Sequence, residues 1–143
     1  MNDHINNFNI RVYALIIEND SILLSKELIN GKTAIKFPGG GVEPGEGLID
    51  ALQREAKEEI GQQLTNIHHF YTTDFFQQSS FKPQDQLISI YYNTSLSSTE
   101  SLVQKTNPLP DQPVFFWKKI KELNITDLSF PIDRHVLNLI LEL

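Results

Sequence analysis

Between Glu43 and Glu59 the chain concentrates six of its 18 acidic residues, and Glu55, Glu58 and Glu59 stand three and four positions apart. The preceding stretch, Leu28 to Val42, has no acid at all and carries the glycine cluster Gly39-Gly40-Gly41. On a helix turning about 100° per residue, Glu58 falls near −60° and Glu59 near +40° from Glu55, so the three share one face. Like charges at this spacing cost a helix about 0.2–0.5 kcal/mol per pair. A bound cation reverses the sign. With no histidine or cysteine nearby in sequence, the donors are all oxygen, which selects a hard cation such as Mg²⁺ or Mn²⁺ over zinc. Magnesium keeps several waters and takes substrate phosphates into its shell, the chemistry of phosphoryl or nucleotidyl transfer. Glycines without side chains let the backbone of Gly39 to Gly41 approach a ligand, offering carbonyls to a metal or N–H groups to phosphate.

These residues need a scaffold. Ile49, Leu52, Ala56 and Ile60 recur at helical spacing beside the acidic face, and Gly61 follows as a C-terminal glycine, so the pattern predicts a helix over Leu48 to Ile60. Ala51, one turn before Glu55, is read as the small residue of the acidic face, leaving room for a ligand. Upstream, Ile10 to Ile17 and Ser21 to Ser25 read as a hairpin around Glu18-Asn19-Asp20. Leu28 to Ile35 is expected to be a loop, Lys36-Phe37 a short strand, and Pro38 to Gly47 a shaped loop. Downstream, Ile67 to Phe76, Gln86 to Thr94 and Val114 to Trp117 read as strands, and Ser95 to Asp111 as a surface loop. Lys118 to Leu123 begins a brief helix. Pro131 opens a C-terminal helix whose core face is marked by Ile132, Val136, Leu139, Ile140 and Leu143. The sum is a mixed sheet with helices against it, in a single domain spanning 1–143.

Composition narrows the function. A net charge of −6 with 12 basic residues, unclustered beyond Lys118-Lys119, argues against a protein that grips an extended nucleic acid by its backbone. No run is long and apolar enough to span a bilayer, the N-terminus is polar, and cysteine is absent. A soluble cytoplasmic protein acting on small anions, with a metal supplying positive charge, is the expectation. Gly31-Lys32-Thr33 lacks the upstream glycine of a phosphate loop, since Lys26 stands there, and is read as a turn. His68-His69 points to opposite strand faces and reads as incidental. Among Phe70, Tyr71, Phe75, Phe76 and Phe81 a base-stacking residue is possible, with packing the better reading for most.

Gly40, then Glu46, then Arg54-Glu55-Ala56, then Glu58-Glu59 and Gly61, led in by Phe37-Pro38-Gly39, resembles the Nudix box over Gly40 to Gln62. The resemblance implies an α/β/α sandwich and a pyrophosphohydrolase that cleaves a nucleoside diphosphate linked to a group X. Carried over by position, Glu58 and Glu59 are metal ligands, Glu55 a ligand or the base, and the Gly40 carbonyl a further ligand. The catalytic residues are then Glu55 and Glu58, with Mg²⁺ or Mn²⁺ as cofactor. Arg54 and Glu46 pair structurally. Ala56 and Gln62 depart from the aliphatic residues usual at their positions. Some relatives add an acid from a later loop, for which Glu100 or Asp111 are the candidates. The residues QQSS at Gln77 to Ser80 carry neither the proline of ADP-ribose enzymes nor the tyrosine of dinucleoside polyphosphate enzymes, and the arginine motif of coenzyme A hydrolases is missing. That leaves a lean to a nucleoside triphosphate or a small sugar nucleotide. Dimerisation is common in the family, so a homodimer is compatible with the resemblance. The competing reading is a non-catalytic Nudix-like module that binds a nucleotide or sugar nucleotide without cleaving it.

Overall fold

The computed structural model describes residues 4–98 and 112–143. Glu100 and Asp111 lie outside them. The order is β1 (Asn7–Glu18), β2 (Ser21–Ile29), β3 (Lys32–Lys36), β4 (Gly39–Gly41), α1 (Leu48–Glu59), β5 (Leu64–Thr72), β6 (Asp85–Leu96), β7 (Val114–Lys119) and α2 (Pro131–Leu141), with short 3₁₀ turns at Ile120–Glu122 and Ile125–Asp127.

The sheet forks at β1. Its far end joins β2 through Ile17 opposite Ile22, while Arg11 to Tyr13 pair instead with Gly39 to Gly41 of β4. On its other edge β1 runs parallel to β6 from Asn7 opposite Asp85 to Ile16 opposite Thr94, and β5 closes that side antiparallel. β2 continues into the other branch, flanked by β3 and β7. The alternating faces of β1 supply both cores. Val12, Ala14 and Ile16 pack under α1 with Leu52, Ala56 and Phe115, and Tyr13 and Leu15 pack under α2 with Phe37, Leu128, Val136 and Leu137. The result is a mixed sheet between two helices, the expected α/β/α sandwich.

Several expectations are corrected. Leu28 to Ile35 is not a loop: β2 runs through Ile29 and turns at Asn30-Gly31, both at positive φ, directly into β3. Asn-Gly is the preferred pair for such a two-residue turn because both positions need the left-handed region. Within the expected loop at Pro38, three glycines form β4, since β1 offers them an open edge. β6 extends through Leu96, so Ser95 is strand. Ile49 is 47% exposed and Leu143 is 92% exposed, and Leu137 fills the core place assigned to Leu143. Ala51 is fully buried. Its small size brings α1 close to the sheet and opens no room for a ligand.

Candidate active site

α1 is seated at both ends. Asp50 accepts the Gly47 N–H at 3.2 Å at its start, and Gly61, at φ +85°, donates to the Ala56 carbonyl at 2.9 Å at its end. Gln62, buried rather than aliphatic, accepts from the Ser98 N–H at 2.7 Å and the Ser97 hydroxyl at 2.8 Å, tying the helix end to the end of β6. The polar departure from the box therefore replaces packing with a tether.

On the inward side, Glu55 lies across β4. A Cβ at Gly40 would sit 2.5 Å from Glu55 Oε1, so the bare glycine is what admits the carboxylate. A Cβ at Gly39 would meet the Val12 carbonyl at 2.1 Å, a collision of backbone with side chain that nothing can relieve cheaply. Glu55 and Glu59 line one small hollow with Gly39 and Ala56. Burial above all pushes the Glu59 carboxyl up to about 7, Lys36 pulls it the other way, and the charges of Glu55 and Glu27 add to the rise. Near neutral pH this carboxyl is poised between its two forms.

Arg54 organises the outer side. Its Nε and Nη2 donate to the two Glu46 oxygens at 2.6 and 2.9 Å, and Nη2 also reaches the Gly41 carbonyl at 2.9 Å. This is the loop-to-helix pairing that the resemblance implies for Glu46 and Arg54. The hydrogen bond from Arg54, seconded by the Glu43 N–H, holds the Glu46 carboxyl down to about 2. Nη1 of the same guanidinium touches Glu55 Oε1 at 3.0 Å and Glu58 Oε2 at 3.4 Å. Glu58 is 58% exposed against 14% for Glu55. The structure thus joins Glu55 to Glu59 and leans Glu58 toward Arg54. Among the described residues no three acidic, histidine or cysteine side chains stand ready as a cation cage. The donor set nonetheless suits a divalent cation. It is all oxygen and mutually repelling, partly desolvated at Glu55 and Glu59, with a bare glycine strand alongside.

Beyond β4 a cleft of about 260 Å³ opens between the two branches of the fork. Arg11, Tyr13, Lys36, Phe81, Phe130 and Asp133 are among the residues that line it. The Lys36 ammonium is nearly enclosed, bonded to the Phe37 and Gly39 carbonyls at 3.1 and 3.2 Å and paired with Glu27 at 3.3 Å. Asp133 accepts from the Tyr91 hydroxyl at 2.5 Å and the Phe37 N–H at 3.3 Å. Burial pushes its carboxyl up to about 6 against the pull of those donors. Segment 77–82, the QQSS region, forms part of the wall. Phe81 is 49% exposed and meets Phe130 edge-on at 5.9 Å. Phe75 and Phe76 are also largely exposed, so the packing expectation holds only for the half-buried Phe70 and Tyr71. His69 bonds Thr72 at 2.8 Å and rests edge-on against Tyr92, consistent with its incidental reading.

The sequence reading missed the cleft. One signal was available, a single cation within an apolar strand: Arg11 in IRVYALII, and Lys36 in AIKF.

A family model described as the NUDIX domain matches residues 7–138. A nucleoside triphosphatase, NudI, of Salmonella heidelberg is 30% identical over 134 residues, covering 87% of this chain and 91% of the relative. Among solved structures, a NUDIX hydrolase from Nitrosomonas europaea superposes with a TM-score of 0.72 at 21% identity, over 91% of this chain and 86% of that one. A MutT NUDIX hydrolase from Burkholderia pseudomallei gives 0.68 at 20% identity, over 93% and 98%. At these identities the structures speak for the fold, while the family model and the curated relative speak for the family.

Proposed function

The chain belongs to the Nudix hydrolase family and is a pyrophosphohydrolase, and from that premise we propose that it hydrolyses nucleoside triphosphates with a divalent cation, Mg²⁺ or Mn²⁺. The observation that carries this reading is the Glu55–Glu59 pair: Glu55 is 14% exposed and seated against the side-chain-free Gly40, and the half-buried Glu59 lines the same small hollow. Glu55, Glu58, Glu59 and the Gly40 carbonyl are the proposed metal ligands. When bound, the cation would polarise the phosphoanhydride, lower the pKa of a coordinated water and neutralise charge on the leaving phosphate.

The chain's own residues do the rest. Glu55, fixed by Arg54, accepts the proton of the attacking water, and Glu58, which faces solvent and is steadied by Arg54 at 3.4 Å, is the second catalytic carboxylate. Arg54, clamped to Glu46 and Gly41, keeps the glycine strand and the helix in one geometry. The cleft receives the nucleoside, and the bond between the first and second phosphates lies over the glutamates. Water attack gives a nucleoside monophosphate and pyrophosphate. The substrate class rests on the NudI relative, a nucleoside triphosphatase by name, and on the absence of other substrate signatures at Gln77 to Ser80. A single cytoplasmic domain, alone or as a homodimer, accompanies the proposal; among the described residues no helix is long and apolar enough to cross a membrane.

The test is product release from a panel of nucleoside triphosphates, sugar nucleotides and dinucleoside polyphosphates, with Mg²⁺, with Mn²⁺ and with a chelator. Triphosphates are expected to turn over fastest, and only with the metals. Undiminished hydrolysis in the chelator would refute the cation dependence.

A further inference from the structure

Three cations line the cleft: Lys82 on its exposed wall, and Lys36 of β3 and Arg11 of β1 on the sheet, of which only Lys36 is fully committed to the protein. Lys36 spends its donors on two carbonyls and on Glu27. Arg11 uses Nε on the Tyr13 hydroxyl at 2.6 Å, and no described residue accepts a hydrogen bond from either of its Nη atoms. A guanidinium carries five donors in a planar fork suited to two oxygens of one anion. Leaving most of them unmet in a half-buried place is costly unless a ligand arrives.

Position identifies that ligand. Arg11 pairs with Gly41 in the β1–β4 ladder, one residue from the Gly40 that admits Glu55, and its Nη1 lies 3.7 Å from where a Gly41 Cβ would be. It also lines the cleft. The side chain therefore stands at the junction of the glutamate helix and the nucleoside chamber. Burial works against its charge, but the Tyr13 hydroxyl and the Glu27 and Glu55 carboxylates outweigh that and leave its pKa raised. It remains a cation.

We propose that Arg11 is a specificity-determining residue that grips the phosphate directly attached to the nucleoside. This rests on the reading of the Glu55–Glu59 pair as the hydrolytic centre, because that reading fixes where the phosphate chain runs. Arg11 then selects for a nucleoside 5′-phosphate in the cleft and holds the scissile bond over the glutamates.

Calorimetric titration of the metal-free protein in chelator tests this without catalysis. The probes are the four deoxynucleosides, their 5′-monophosphates and pyrophosphate. The wild type should bind at least one monophosphate ten-fold or more tighter than its nucleoside. Arg11→Gln should lose about ten- to a hundred-fold in monophosphate affinity, the worth of a charged hydrogen-bonded pair, with nucleoside affinity unchanged. Arg11→Lys, which keeps the charge without the fork, should fall between, and thermal melts report whether each variant folds. A wild type with no preference for the monophosphate overturns the proposal. So does an Arg11→Gln variant that weakens nucleoside and monophosphate alike, or neither. Glu59→Gln separates the two readings: if it hydrolyses triphosphates normally, the hydrolytic centre is misassigned, while the binding preference is still read directly.

Discussion

Two acids on opposite faces of one sheet, Asp133 buried and Glu59 half-buried, behave differently. Asp133 on α2 and Glu59 on α1 are both pushed up by burial, to about 6 and about 7. Asp133 is met by a hydroxyl and a backbone N–H. Glu59 is met by another acid. A buried carboxylate supplied with donors is part of the fold, whereas one confronted with a second carboxylate is stable only in prospect of a cation or a proton. Burial thus goes with a fastener on one face and with the proposed site on the other.

Exchanging the acids for neutral groups should expose the contrast most strongly. Glu59→Gln is expected to lower turnover on a nucleoside triphosphate by about three orders of magnitude or more, with the melting temperature preserved or raised, since a mutual repulsion is removed. Asp133→Ala should do the opposite, costing about 2–4 kcal/mol in denaturant unfolding by orphaning the Tyr91 hydroxyl and the Phe37 N–H, while kcat stays within a few-fold. If Asp133→Ala abolished kcat and Glu59→Gln left it intact, the assignment of roles would be reversed.

The neighbouring glycines sharpen the same division. Gly40→Ala collides only with the movable end of Glu55, so turnover should fall by about a hundred-fold with little change in melting temperature. Gly39→Ala collides with the Val12 carbonyl and should unfold the protein at lower denaturant instead. Parallel kinetics and melts of the two variants check the pair.

Arg54→Gln is expected to reduce kcat about ten-fold or more by loosening Glu55 and Glu58 while the helix stays docked, which circular dichroism can confirm.

The last contrast is in pH. Asp133 titrates at about 6 in the native chain against 3.8 unfolded, so the native state binds the proton more tightly. Its contribution is complete below about pH 4 and is lost as pH rises through about 6, on the order of 2–3 kcal/mol. Asp133→Asn should flatten the stability curve in that window.

How much of this was legible in the sequence follows from distance along the chain. The proposed glutamate site is written locally: Gly40, Glu46, Arg54, Glu55 and Glu59 sit within β4, the loop after it and one helix, where period and glycine placement carry the geometry. The cleft is gathered from β1, β2, β3, β6, segment 77–82 and the start of α2, so no window contains it. Arg11 and Lys36 gave a hint only as charges interrupting apolar runs. Ala51 and Ile49 were misjudged because a helical wheel ranks residues around an axis but cannot say how deeply the helix beds into β4. The β2–β3 turn was hidden although Asn30-Gly31 is a strong hairpin signal, because Lys26, Glu27, Lys32 and Thr33 break the apolar strand pattern on either side of it.

The parallel pairing of β1 with β6 carries a consequence in time. Asn7 must find Asp85, and nothing between them can make that meeting local. Chains dominated by such distant pairings reach the native state in milliseconds to seconds, slower than helical bundles do. On the ribosome, α1 emerges before β6, the strand that completes its bed, so the helix waits for its partner before it can dock.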